Sequence, residues 1–96
     1  MRKYETMVIA SPNLDEEGIN ALIEDIKALI EKQGGEITSV DLWGLRRLEY
    51  PIKREENGQY AVLNYQSEGN PARELQGALS IREDVLRVKT FLRERE

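Results

Sequence analysis

Apolar residues along this chain first alternate with polar ones, then recur at helical spacing, and the two periods trade places several times. In the opening stretch RKYETMVIA, residues 2–10, Tyr4, Thr6, Val8 and Ala10 share one parity and Glu5, Met7 and Ile9 the other. Period two predicts a strand, and apolar residues of both parities suit a central strand or one whose outer face meets a partner. Ser11-Pro12-Asn13 breaks it. The period then becomes helical: Ile19, Leu22, Ile23, Ile26, Leu29 and Ile30 follow the i, i+3, i+4, i+7 rule without a miss. Asp15 is placed to cap this helix, Glu16 and Glu17 suit its positive end, and Leu14 with Ile19 has the spacing of a hydrophobic staple. Gly34-Gly35 supplies the stop.

Residues 36–52 read as one long strand whose parity changes at Gly44, so a bend or bulge is expected there. Lys53 to Gly58, KREENG, is polar and ends in Asn-Gly, a hairpin-turn signal. Tyr60 to Gln66 returns as a strand. Asn70-Pro71 opens a second helix, with Asn as cap and Pro in the first turn, and Leu75, Ala78 and Leu79 form its short apolar stripe around a weakening Gly77. The last strand, Val85 to Leu92, sets Leu86, Val88, Thr90 and Leu92 on one face and Arg87, Lys89 and Phe91 on the other.

The order βαββαβ points to an α+β, ferredoxin-like fold: a four-stranded antiparallel sheet with two helices on one face, a single domain over residues 1–96. In this scheme the other face of the sheet has no covering element.

Composition narrows the chemistry. The 96 residues contain no cysteine and no histidine. Disulfides and thiolate metal sites are excluded, as are Ser-His and Cys-His nucleophile systems. Neither a metal site nor a cofactor nor a small-molecule substrate is expected. No glycine-rich phosphate loop and no catalytic carboxylate pair stands out. No secretory leader is apparent, and no apolar run approaches the roughly 18 residues of a membrane span.

The net charge of −4 argues against nucleic acid until the signs are mapped. Asn13 to Glu36 holds seven acids against two lysines, whereas Gly44 to Arg54 holds four bases against one acid. An acidic helix beside a basic ribbon makes a two-sided molecule.

Two surfaces are candidates for binding. The uncovered sheet face would carry Met7, Ile9, Tyr60, Val62 and Phe91 with Arg87 and Lys89 among them, an apolar and basic mixture that suits RNA or a protein partner. The adjacent Arg46 and Arg47 must point to opposite faces of a strand, yet on an edge both could reach one rim. Such charges protect an edge strand from unwanted pairing, as Pro51 does, and the same fork grips phosphates. The segment NGQYAVLNY, Asn57 to Tyr65, partly echoes an RNA-recognition motif but has Gln59 and Val62 at its glycine and aromatic positions. Stacking of bases across the sheet is therefore not expected.

GLRRLEYPIK, Gly44 to Lys53, with MRKYE, SPNLDEE, NGQY and IREDVLRV around it, resembles the bacterial small-subunit ribosomal protein S-six family along nearly the whole chain. The resemblance implies the ferredoxin-like fold, no enzymatic activity and a cytoplasmic, ribosome-associated place. It implies binding to the central domain of small-subunit ribosomal RNA together with a small basic neighbour, ribosomal protein S-eighteen. Matching positions make Arg2, Arg46, Arg47, Lys53, Arg87 and Lys89 the candidate RNA contacts. Two departures stand out: Ala61, Val62 and Leu63 where relatives often carry larger aromatics, and the ending RERE where many relatives have a longer tail. The competing reading is a ferredoxin-like regulatory or oligomerisation module that uses its open sheet face.

Overall fold

The computed structural model describes residues 1–93, and the end of the RERE segment lies outside them. Six elements follow in the expected order: β1 (Arg2–Ala10), α1 (Glu16–Lys32), β2 (Glu36–Ile52), β3 (Glu55–Ser67), α2 (Ala72–Ser80) and β4 (Val85–Leu92). The strands form one antiparallel sheet in the order β2-β3-β1-β4, so β2 and β4 are its outer strands.

The apolar stripe of α1 decides how the layers stack. Leu22, Ile23, Ile26 and Ile30 are buried against Val8 and Ala10 of β1 and Ala61 and Leu63 of β3, and Leu75 and Leu79 of α2 complete the same core. Asp15 caps α1 by accepting the Gly18 N–H at 2.8 Å. Within this core a hydroxyl chain crosses three strands: Tyr65 Oη to Thr6 Oγ1 at 2.8 Å, and Thr6 Oγ1 to Thr90 Oγ1 at 2.9 Å. The chain satisfies polar groups that burial would otherwise penalise. Burial raises the Tyr65 pKa.

Four local readings are refined. The β2–β3 turn is not the Asn-Gly pair. It is Lys53-Arg54, both at positive φ (49° and 70°), with Ile52 paired to Glu55. Two central residues at positive φ are what a two-residue hairpin turn matched to strand twist requires. Asn57 and Gly58 lie inside β3, and Gly58 serves close approach: a Cβ there would collide with Ile9 Cγ2 and crowd the Ala10 carbonyl. α2 is counted from Ala72 with Pro71 in the cap position, although Asn70 Oδ1 still accepts the Ala72 N–H at 2.9 Å.

Leu86 does not share a face with Val88. The β1–β4 register shifts between Ile9 and Ala10, so Val85 enters the core and Leu86 joins Ile9 and Leu48 on the other side. Finally, the sheet face away from the helices is partly covered. Between the Arg47–Asn57 and Ile52–Glu55 pairs, β2 carries four residues where β3 carries one. The excess, Leu48 to Pro51, bulges out and buries Leu48 against Ile9 and Leu86. Pro51, which has no N–H to give a ladder, falls in this bulge.

The expected bend at Gly44 is present. The β2–β3 register shifts between Leu42 and Gly44, and Gly44 has φ +85°, the left-handed region that glycine enters without penalty.

Candidate nucleic-acid interface

A concentration of positive charge lies where the tip of the β2–β3 hairpin meets α2 and β4. Lys53, Arg73, Arg87 and Lys89 line a groove of about 910 Å³ there, with Gln76, Ser80 and Thr90 as polar neighbours and no carboxylate among its lining residues. Three elements build it. The positive-φ turn aims Lys53 back at the start of β4, where its ammonium donates to the carbonyls of Val85 at 2.8 Å and Arg82 at 3.3 Å. β4 supplies Arg87, opposite Ile9, and Lys89, opposite Met7. α2 supplies Arg73 from its first turn, where a cation opposes the helix dipole.

Each cation of β4 is steadied by an aromatic side chain, Arg87 through a hydroxyl and Lys89 through a ring face. Arg87 Nη1 donates to Tyr50 Oη at 2.6 Å, a contact that exists because the β2 bulge carries Tyr50 across the sheet. Lys89 Nζ sits 5.9 Å from the Phe91 ring centroid. A third such group lies at the opposite edge. Arg46 is held 5.6 Å above Trp43, which stacks on Tyr60 at 6.1 Å with 7° between the rings. Cations over ring faces gain electrostatically, most of all over Trp.

The register places the predicted residues. Lys53, Arg87 and Lys89 come together. Arg46 pairs with Gly58 and Arg47 with Asn57, so the two arginines point to opposite faces, Arg46 toward the face shared with Tyr60 and Ile9. Three strand spacings, roughly 14 Å, separate their edge from β4. Arg2 pairs with Ser67, five residues along β1 from Met7 and hence roughly 17 Å from the Lys89 level. The apolar set divides: Ile9 and Val62 are buried, Met7 and Tyr60 half-buried, and Phe91 exposed.

Sequence reasoning missed Arg73, Trp43 and Tyr50. Arg73 left a signal, since a cation in the first turn of a helix has no capping reason to be there. Trp43 and Tyr50 depend on two bulges whose extra residues no alternation pattern reveals. Arg82, by contrast, spends its guanidinium on two carboxylates. It clasps both oxygens of Asp84 at 2.9 Å and reaches Asp25 at 3.0 Å. The hydrogen bonds from Arg82 lower the Asp84 pKa, and those to Asp84 raise that of Arg82. Among the described residues no cluster of three or more Asp, Glu, His or Cys could hold a metal, and no helix is long and apolar enough to cross a membrane.

Comparison with known proteins gives this geometry a context. The family model described as ribosomal protein S6 matches residues 3–91. The chain belongs to the ribosomal protein S6 family. It is 47% identical over 87 residues to the small ribosomal subunit protein bS6 of Caldanaerobacter subterraneus subsp. tengcongensis, a match covering 91% of this chain and 92% of that protein. Its identity to the bS6 of Clostridium acetobutylicum is 44%, at the same coverage of both chains. The crystal structure of 30S ribosomal protein S6 from Thermotoga maritima superposes with a TM-score of 0.88 at 34% identity, covering 96% of this chain and 87% of that one. Membership of the S6 family makes the chain a component of the small ribosomal subunit and not an enzyme. The ferredoxin-like architecture read from the hydrophobic pattern is that of the Thermotoga protein.

Proposed function

We propose that the chain is a structural ribosomal protein that binds the central domain of small-subunit ribosomal RNA jointly with a small basic protein of the ribosomal S-eighteen type. The observation that carries the RNA half is the groove of Lys53, Arg73, Arg87 and Lys89, four cations lined up without an acid between them. Side chains of this kind position a protein on a phosphate backbone, and arginine grips phosphate through two N–H groups at once. Arg46 and Arg47 at the far edge and Arg2 at the far end of β1 extend the same contact set. The acidic α1 flank supports the second half. An overall negative chain gains affinity for RNA when a positive partner shares the contact.

The test is binding to a central-domain RNA fragment across a salt series, with and without the basic partner. Arg87→Ala and Lys89→Ala are each expected to weaken binding and to reduce the slope of log affinity against log salt by about 0.7–0.9 per lost phosphate contact. Unchanged slopes for both, in the presence of the partner, would remove the groove from the interface.

A further inference from the structure

Arg82 and Arg87 are near neighbours in the chain and are held in opposite ways. Arg82 is clasped by Asp84 and Asp25, so its charge is answered where it stands. Arg87 is held by a neutral group, the Tyr50 hydroxyl, to which its Nη1 donates at 2.6 Å. A carboxylate stands close by. Glu49 lines the same small hollow as Tyr50, Leu48, Ile9 and Arg87. Yet no ion pair among the described residues joins Glu49 to Arg87. A phenol accepts a hydrogen bond from a guanidinium without cancelling its charge, because it stays protonated near neutral pH.

Tyr50 reaches Arg87 through the β2 bulge, and each part of the bulge contributes. Leu48, only 7% exposed, roots it on Ile9, which is the cross-strand partner of Arg87. Tyr50 precedes Pro51, and a residue before proline is confined to extended backbone. Ile52 then resumes the pairing with β3 at Glu55. None of this is needed to guard an edge strand, for which an exposed charge is enough.

We propose that Tyr50 is a positioning residue for RNA: its hydroxyl pre-sets the Arg87 guanidinium, with Nη1 on the phenol and the edge formed by Nε and Nη2 left to fork onto a phosphate. The proposal rests on the RNA reading above and adds a residue that the cation groove itself does not include. Ordering a long side chain at the moment of binding weakens association, and a side chain ordered beforehand avoids that loss. The neutral partner matters for the same reason. A carboxylate in place of Tyr50 would order Arg87 equally well but would compete with the phosphate for it.

Binding of the full chain to a central-domain RNA fragment, in the presence of its basic protein partner, tests this with Tyr50→Phe, Arg87→Ala and the double variant. Tyr50→Phe removes the hydroxyl and keeps the ring. It should weaken binding about 2- to 10-fold, the scale of ordering one long side chain on association. The slope of log affinity against log salt should stay unchanged, because the phosphate contact itself remains. Arg87→Ala should weaken binding and lower that slope by about 0.7–0.9. In the Arg87→Ala background, Tyr50→Phe should have no further effect, the non-additivity of a residue that acts through another. Nitrogen relaxation of the Arg87 Nε–H in the unbound chain should show faster motion in Tyr50→Phe, and thermal unfolding checks that each variant folds. A loss that persists in the Arg87→Ala background means that the phenol touches RNA itself, and this overturns the proposal. Tyr50→Phe binding as tightly as the parent while Arg87→Ala binds weakly overturns it and leaves the RNA reading standing. Unchanged affinity and slope for Arg87→Ala overturn it too, and the RNA reading falls with it only if Lys89→Ala is also unchanged.

Discussion

The two outer strands of this sheet solve the same problem in opposite ways. Each presents a row of backbone groups that no strand among the described residues pairs, and such a row invites aggregation. β4 is eight residues long, stands beside α2 and is guarded by Arg87 and Lys89. β2 is seventeen residues long, breaks its register three times and carries Arg46, Arg47 and Pro51. Charge protects the short edge, whereas distortion protects the long one. The difference matters for function. A short, charged edge beside a helix makes a groove lined by cations. A bulged ribbon throws side chains to unexpected places: Leu48 is buried against Ile9 and Leu86, Tyr50 reaches Arg87, and Leu42 and Leu45 stay exposed on the helix side.

The sharpest way to break this contrast is to compare two leucines of β2. Leu48 is 7% exposed and packs on Ile9 and Leu86, and Leu45 is 60% exposed. Leu48→Ala is expected to cost about 2–4 kcal/mol, the range for a buried leucine that leaves a partial cavity. Leu45→Ala should lie within about 0.5 kcal/mol of the parent, as surface changes do. Urea unfolding of both reads the difference, and equal losses would show that the bulge does not cover the sheet as described. Leu48→Ala should also loosen Tyr50 from Arg87, seen as faster exchange of the Arg87 guanidinium protons.

Lys53 ties the two edges together, since it belongs to the β2–β3 turn yet donates to carbonyls at the start of β4. Lys53→Met keeps the aliphatic stem and removes both hydrogen bonds. Loss of a partly exposed bond from a charged donor is expected to cost about 1 kcal/mol in urea unfolding. The same variant sharpens the RNA reading. A salt slope that also falls assigns Lys53 to phosphate, and an unchanged slope leaves it a clip between the hairpin and β4.

Much of this was legible in the hydrophobic pattern, and the residues that escaped it share a cause. Ile19 to Ile30 announced α1 because a helix repeats its geometry every turn. Tyr4, Thr6 and Val8 announced β1 for the same reason at period two. A bulge adds residues without changing composition, so the alternation that located β2 could not place Leu48, Tyr50 or Trp43. Simple alternation puts Leu86 on the wrong face because one irregularity between Ile9 and Ala10 resets the parity of β4. The Asn57-Gly58 pair looked like a turn, yet Gly58 is required where β3 passes close to Ile9, and the turn instead uses two cationic residues at positive φ. The candidate site followed the same division. Residue type pointed to Arg46, Arg47, Arg87 and Lys89. Only the strand order separates them into two edges, and only the packing of α2 beside β4 brings Arg73 in.

The smallest expected effect concerns what holds the β4 edge in place. Arg82 joins Asp84, just ahead of β4, to Asp25 of α1, and it clasps Asp84 through two parallel bonds. β2 has no counterpart to this corner in the ion pairs found among the described residues. Because the guanidinium favours the ionised form, the Asp84 pKa in the folded chain lies below its ordinary value of 3.8. The sign follows from linkage. A carboxylate with a depressed folded pKa contributes its stability above the unfolded value, and that contribution disappears as pH falls through the folded value. Asp84→Asn should therefore lower stability by about 0.5–1 kcal/mol at pH 6, the scale of a solvent-touched but bidentate pair. The gap between parent and variant should stay level from pH 7 to pH 5 and close as the pH falls below about 4. Urea midpoints measured at each pH give the curve. A gap that persists unchanged to pH 2 would mean that Asp84 acts through shape and not through charge, and the β4 edge would then be held by packing alone.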